Sequence, residues 1–286
     1  MMGGYLYAIL TGIFFGLQGT YSKVLTNRIP PMILTWGIFT FTLPYLIFLL
    51  MIQGVPSIVW KDFWWATSSS FVINLFAWNF YFRALHAAPL SQTMPFTAFT
   101  PLFLIPVAYI LLGEMPDRIG FMGIILIILG GYGIHLNSKN LVAPVKSLFH
   151  NKGTRYMLIV ALLWSVSATV EKVAVISSSQ VFYGFTINLL LSLAYLPYLF
   201  INRKVKTGTV SNNLKGLFIL GLISGLMILF QFTALKFLFV SYVIAFKRAG
   251  IIVSVFLGAV LFKEKNPAHN LLFSGLMVAG VLILLL

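Results

Sequence analysis

Apolar residues run through this chain in long blocks, and short polar or proline-bearing breaks separate them at almost regular intervals. A hydrocarbon core about 30 Å thick needs roughly 20 apolar residues per helical crossing. Measured with that ruler, the chain divides into ten expected spans, at 4–25, 32–53, 63–85, 90–112, 118–136, 155–176, 180–201, 214–236, 240–262 and 269–286. The breaks are chemically sensible. Arg28 to Pro31, Gly54 to Lys61, Ala88-Pro89 and Met115 to Asp117 close early spans, and Asn202 to Lys215 and Lys263 to Pro267 close late ones. The longest polar stretch, Asn137 to Thr154, falls between the fifth and sixth spans.

The pattern also repeats. One stretch runs from Tyr81 to Glu114 and another from Gln231 to Glu264. Ala84-Leu85, Ser91 and Glu114 in the first recur at identical offsets as Ala234-Leu235, Ser241 and Glu264 in the second. The first spans of the two halves match as well: Phe15, Gly16, Gln18, Thr20 and Lys23 line up with Trp164, Ser165, Ser167, Thr169 and Lys172. Agreement over that length points to a duplication. The fold class expected is all-α integral membrane, with ten transmembrane helices as two five-helix repeats, residues 1–137 and 155–286, joined by a linker at 138–154. Five crossings is an odd number, so the second repeat starts on the opposite side and the repeats are inverted.

Composition narrows the class. Hydrophobic residues make up 60% of the 286 positions and charged ones 8%, and the mean hydropathy of +0.99 excludes a soluble domain. The net charge of +14 in a soluble chain would suggest nucleic acid, but the basic residues collect between spans, where the positive-inside rule accounts for them. Nucleic acid is therefore not an expected partner; membrane lipid is. Most basic residues fall on the linker side, which places the linker in the cytoplasm and both termini outside. There is no cysteine, which removes thiolate chemistry and disulfides. The five acidic residues stand singly and His86, His135, His150 and His269 are isolated, so a membrane-embedded enzyme is disfavoured and no metal or cofactor is expected. No phosphate-binding Gly-Lys-Ser/Thr loop exists to drive a pump.

The repeated five-span unit, Pro101-Leu102 in the fourth span, Leu112-Gly113-Glu114 closing it and Trp164-Ser165 in the sixth resemble the EamA-type transporters of the drug/metabolite transporter superfamily. Phe15 stands where that family more often has Trp, Lys263 replaces a Gly before Glu264, and the ninth span lacks a proline matching Pro101. The resemblance implies a ten-helix carrier working by alternating access, with a small-molecule substrate held between the halves, in a prokaryotic cytoplasmic membrane. Family members more often have both termini inside, against the charge count.

Ionisable groups within spans are costly and need a reason. Lys247 and Arg248 lie about two turns into the ninth span. Either one of them lines a cavity and attracts an anionic group, or both reach the interface with buried stems and wet heads. Glu171 is the acidic residue inside a span, beside Lys172, and its counterpart in the first repeat is Ser22. It either carries a coupling proton or forms a salt bridge with Lys23, Lys247 or Arg248. Glu114 and Glu264 end helices in loops, where carboxylates are mostly solvated or cap the next helix, with a gate as the alternative. Asn74, Trp78 and Tyr81 share one face of the third span, and Gln231 has the matching place in the eighth. Thr93, Thr97 and Thr100, with Pro95, Pro101 and Pro106, mark the fourth span as cavity-lining. Glycines of the fifth and tenth spans, including Gly123, Gly130, Gly275 and Gly280, are expected at close helix crossings. The functional expectation is a secondary carrier of small organic metabolites or drugs, coupled to a proton or to exchange. The alternative is an exchanger of anionic, phosphate-bearing or nucleotide-like metabolites.

Overall fold

The computed structural model describes residues 2–26, 28–87, 94–134, 151–201, 208–262 and 267–286. Among them every regular element is helical. In chain order these are α1 (Met2–Thr26), α2 (Pro31–Gln53), α3 (Trp60–Ala87), a 3-10 turn (Met94–Phe99) running into α4 (Thr100–Leu112), α5 (Arg118–Ile134), α6 (Lys152–Ile176), α7 (Gln180–Ile201), a second 3-10 turn (Ser211–Asn213) running into α8 (Leu214–Ala234), α9 (Val240–Ala249), α10 (Ile251–Phe262) and α11 (Pro267–Leu284). The helix ends follow local chemistry. Pro30-Pro31 opens α2, where a missing N–H costs nothing. Asn151 caps α6 by accepting from the Gly153 N–H at 2.8 Å. Gly113, at φ 69°, stops α4 in the left-handed conformation.

Two features depart from the expected spans. The ninth, 240–262, is two helices interrupted at Gly250, whose N–H is shared between the carbonyls of Phe246 and Lys247 at 3.2 Å each. The fourth enters as a 3-10 turn that becomes α-helical at Thr100. Thr100 and Gly250 are equivalent positions of the repeat, so both fourth-in-repeat segments change geometry at the same register.

Among the described residues, four segments are long and apolar enough to cross a membrane by themselves: Met32–Gln53, Lys152–Ile176, Gln180–Pro197 and Ser211–Ala234. Of the shorter apolar helices, Phe96–Leu112 packs on Lys152–Ile176, while Arg118–Gly133 and Leu272–Leu284 pack on each other. Phe48, Met51, Trp60, Trp64, Trp65, Phe76 and Ile110 are exposed on the outside, the surface an integral membrane protein turns to lipid.

The principal contacts cross between halves and are reciprocal. α3 lies along α6 as α1 lies along α8; α4 meets α6 as α9 and α10 meet α1; α2 packs on α7 and α5 on α11. Glycines set the closest approaches. A Cβ at Gly280 would stand 2.6 Å from the Gly123 carbonyl oxygen, and one at Gly250 would overlap the Gly12 backbone. Gly275 has nothing within 4 Å of its would-be Cβ, so the close-packing expectation does not extend to it. The small residue there faces outward.

Candidate functional site

A chain of polar side chains crosses the interior and joins helices of both halves. On α3, Asn74 Nδ2 donates to Ser167 Oγ of α6 at 2.7 Å and to Ser70 Oγ at 3.2 Å. Ser167 Oγ donates to Glu171 Oε1 at 2.8 Å. From the other direction Lys247 Nζ of α9 donates to Gln231 Oε1 of α8 at 2.7 Å. Gln231 Nε2 then donates to Glu171 Oε2 at 3.4 Å, the longest link. Tyr183 of α7, fully buried, donates to Ser70 Oγ at 3.0 Å. Every bond adjoining Glu171 ends on its carboxylate, which makes it the terminal acceptor. Glu171 therefore reaches Lys247 through the Gln231 amide, and neither a direct ion pair with Lys23 nor one with Arg248 is what holds it. Lys23 sits exposed in the last turn of α1, whereas Gly4 at the other end of that helix packs on Leu238 beside Lys172. At 1.5 Å per residue the two lysines are separated by on the order of 28 Å along α1.

Arg248 forms the second part of the site. It is 8% exposed, which excludes the snorkelling alternative for this residue. Its Nη2 donates to Thr100 Oγ1 at 3.2 Å, so the side chain two residues before the Gly250 break reaches the residue at which the fourth segment becomes α-helical. Phe15 and Trp164, equivalent residues of the two halves, each lie with ring centroid 5.6 Å from its guanidinium carbon. This is cation–π distance on two sides. Lys247 also lies 5.6 Å from the Phe15 ring. Arg248 Nε has no hydrogen-bond partner among the described residues. Trp78, Tyr81 and Trp164 form a cluster of edge-on and tilted rings with centroids 5.4 to 5.8 Å apart. Thr97 is buried, and its carbonyl accepts from Thr100 Oγ1 at 2.8 Å. Phe15, Asn74, Trp78, Tyr81, Trp164, Glu171 and Lys247 each keep some accessible surface while their neighbours Ser70, Ser167 and Gln231 are buried.

The site has a pseudosymmetric counterpart. Gln18 Nε2 of α1 donates to Ser224 Oγ of α8 at 2.8 Å; Gln18 is the repeat equivalent of Ser167 and Ser224 that of Asn74. The acid is unique to one half, because Ser22 stands where Glu171 would be.

Glu114 corrects the solvated-loop expectation. Its Oε1 is ion-paired with Lys172 Nζ, the two side chains being 11% and 10% exposed. Its Oε2 accepts the Val240 N–H at 2.8 Å, while Lys172 also donates to the Leu238 carbonyl at 2.7 Å. The loop between α8 and α9 folds over the carboxylate, which caps α9 from a distant part of the chain. This knot joins α4, α6 and α9 at the end remote from the central linker. Thr93 and Glu264 lie outside the described residues.

Sequence reasoning missed Ser70, Ser167 and Tyr183 as network members, and Phe15 and Trp164 as the flanks of Arg248. Two had a signal: Ser70 precedes Asn74, and Ser167 precedes Glu171, by one helical turn. Tyr183 had none. Two clefts, about 440 and 190 Å³, lie on outer helical faces at Ser68, Ser69, Val72 and Ile73 and at Tyr45, Phe48, Leu49 and Leu222; neither contains a network residue. No group of three His, Cys, Asp or Glu gathers among the described residues.

Comparison with curated proteins finds no match. A solved crystal structure shares the fold at a TM-score of 0.79 and 15% identity, over 99% of this chain and 96% of that one. A profile described as the EamA-like transporter family matches twice, at residues 2–136 and 151–286. By that match across nearly the whole length, the chain belongs to the EamA-like transporter family.

Proposed function

We propose that this protein is a secondary active transporter that moves a small organic metabolite or drug by alternating access, coupled to a proton or to exchange. Its ten crossings form two inverted five-helix repeats, 1–137 and 155–286, about the 138–154 linker, in a prokaryotic cytoplasmic membrane. The observation that carries the reading is the polar chain from Asn74 to Lys247. It spans helices of both halves, passes one acid and one base, and lies beside partly accessible aromatic rings. A structural core would bury apolar groups there; side chains this polar in a lipid-facing protein mark a solute path. The interruption at Gly250 supports it, since broken helices in transporters place free backbone groups at the substrate. The Glu114–Lys172 knot is the closed gate of this conformation, at the end remote from the linker.

The anion-exchange reading is favoured by one specific feature. Arg248 holds a buried Nε without a partner among the described residues, and guanidinium groups suit carboxylate and phosphate. Proteoliposomes test the general proposal: uptake of a panel of labelled carboxylates, amines and neutral solutes, with and without the same unlabelled solute inside. A carrier gives saturable uptake that trans solute accelerates. Linear, unsaturable flux would contradict it.

A further inference from the structure

The orientation of the Gln231 amide follows from the chemistry of its neighbours. As an ammonium group Lys247 has donors only, so the Gln231 oxygen must face it. The Nε2 group is thereby committed to Glu171, where the carboxylate must accept. On the opposite flank Ser167 also donates to Glu171. Both carboxylate oxygens are met by donors, and this arrangement fits the ionised acid. A proton on Oε2 would face Nε2 donor to donor. The 3.4 Å link, already the longest, would break first. Turning the amide to offer its oxygen to the protonated acid would put its NH₂ against the Lys247 ammonium, which has nothing to accept with. Lys247 then loses its partner.

From this geometry we infer that Gln231 is a lever that makes a proton on Glu171 and an organic anion on Lys247 bind together, so that the transported species is an organic anion accompanied by a proton. The inference rests on the carrier reading for its transport consequence, but the linkage itself is a property of the site. In the empty conformation Glu171 neutralises Lys247 at second hand and the amide holds both. A proton arriving at Glu171 Oε2 from water frees the ammonium, which then pairs with the carboxylate or phosphate of a ligand lying against Trp78, Tyr81 and Trp164. No covalent bond other than the O–H forms. Charge balances, because one proton enters with one negative charge. Reciprocity is required by thermodynamics: whatever the proton does for the anion, the anion does for the proton.

Each element packed around Glu171 turns its own groups toward it. Ser70 and Asn74 of α3 and Ser167 on its own helix are neutral hydrogen-bonding groups. Tyr183 of α7 is bonded to Ser70 and lies within electrostatic range of the acid. α9 contributes Lys247, while its Arg248 is held by Thr100 through Nη2 and lies against the two rings, with Nε unpartnered among the described residues. Lys172, next along α6, is turned away to Glu114 and the Leu238 carbonyl, as is Glu114 itself beyond α4. Lys247 is thus the cation that the lever can release.

The test is binding, read separately from flux. Purified protein in detergent is titrated with benzoate, and with benzamide as the uncharged control, following tryptophan emission from about pH 6 to about pH 8, where benzoate stays ionised. Calorimetry in two buffers of different ionisation enthalpy counts the protons taken up. Wild type is expected to bind benzoate more tightly as pH falls, by roughly tenfold per pH unit where one proton is linked, with close to one proton taken up per anion. E171Q and Q231L are expected to bind benzoate with no pH dependence and no proton uptake, and K247Q to lose benzoate selectivity over benzamide. Benzoate binding without proton uptake in wild type would overturn the inference, as would unchanged uptake in Q231L, or a failure of benzoate to bind at any pH. Proton-linked binding without saturable flux would leave the lever standing and remove the carrier. Saturable flux with no linked proton would do the reverse.

Discussion

Replacing Lys172 with Met removes the cation from the knot that ties α4, α6 and α9. Glu114 keeps one donor, the Val240 N–H at 2.8 Å, and loses its ion pair. Breaking a buried pair by removing one partner costs about 3 to 5 kcal/mol, because a charge is left without compensation. The low end applies here, since Glu114 retains its backbone donor and is still 11% exposed. K172M should therefore lose about 3 kcal/mol of stability, roughly a hundredfold in the unfolding equilibrium. E114Q loses less, because the amide oxygen still accepts from Val240 and Lys172 still reaches the Leu238 carbonyl. In K172M/E114Q no charge is stranded, and about 2 kcal/mol should return relative to the sum of the single variants, within the range for residues in direct contact. Denaturant titration in mixed micelles, followed by tryptophan emission, reads all three. Additivity of the two single effects to within ~0.5 kcal/mol would refute the pairing. Loss of stability in K172M with no rescue in the double variant would show that the methionine, rather than the missing charge, does the damage.

Other consequences can be read with the same assay. Gly250→Ala places a methyl group against the Gly12 backbone, and two rigid backbones have no side chain to yield, so at least about 1 to 3 kcal/mol is lost; Gly275→Ala meets open space and should fall within about 0.5 kcal/mol of wild type. Tyr183→Phe removes the 3.0 Å bond to Ser70 and should cost about 1 kcal/mol. Arg248→Lys keeps the charge but cannot present a planar group between Phe15 and Trp164. It should shift tryptophan emission and weaken benzoate binding, whereas an unchanged spectrum would remove the stacking role.

The sequence carries the element plan well because lipid imposes a length on each apolar block, and the repeat spacing locates equivalent residues without a structure. The pairing of Phe15 with Trp164 was legible as an alignment, but that both rings would close on Arg248 was not. Neither was the Gly250 break: a glycine in an apolar run looks the same whether the helix continues or stops, and here the close passage of α1 decides. Glu114 read as a loop carboxylate because its partners, Lys172 and the Val240 N–H, are far away in the chain. Asn74, Trp78 and Tyr81 were visible as a helical stripe, and Gln231 as a counterpart. The bridging geometry of Gln231 was hidden, since an amide's role depends on which group faces each end.

The central claim is that the two ends of the path open in turn. The chain has no cysteine, so single cysteines can be introduced without a background. Ser241→Cys reports the end beside the Glu114–Lys172 knot, and Tyr81→Cys reports the interior on the linker side. Each is labelled with a water-soluble maleimide in detergent, in the presence and absence of K172M. Alternating access predicts that K172M speeds labelling at position 241 and slows it at position 81. Acceleration at both positions together, or no change at either, would contradict the account.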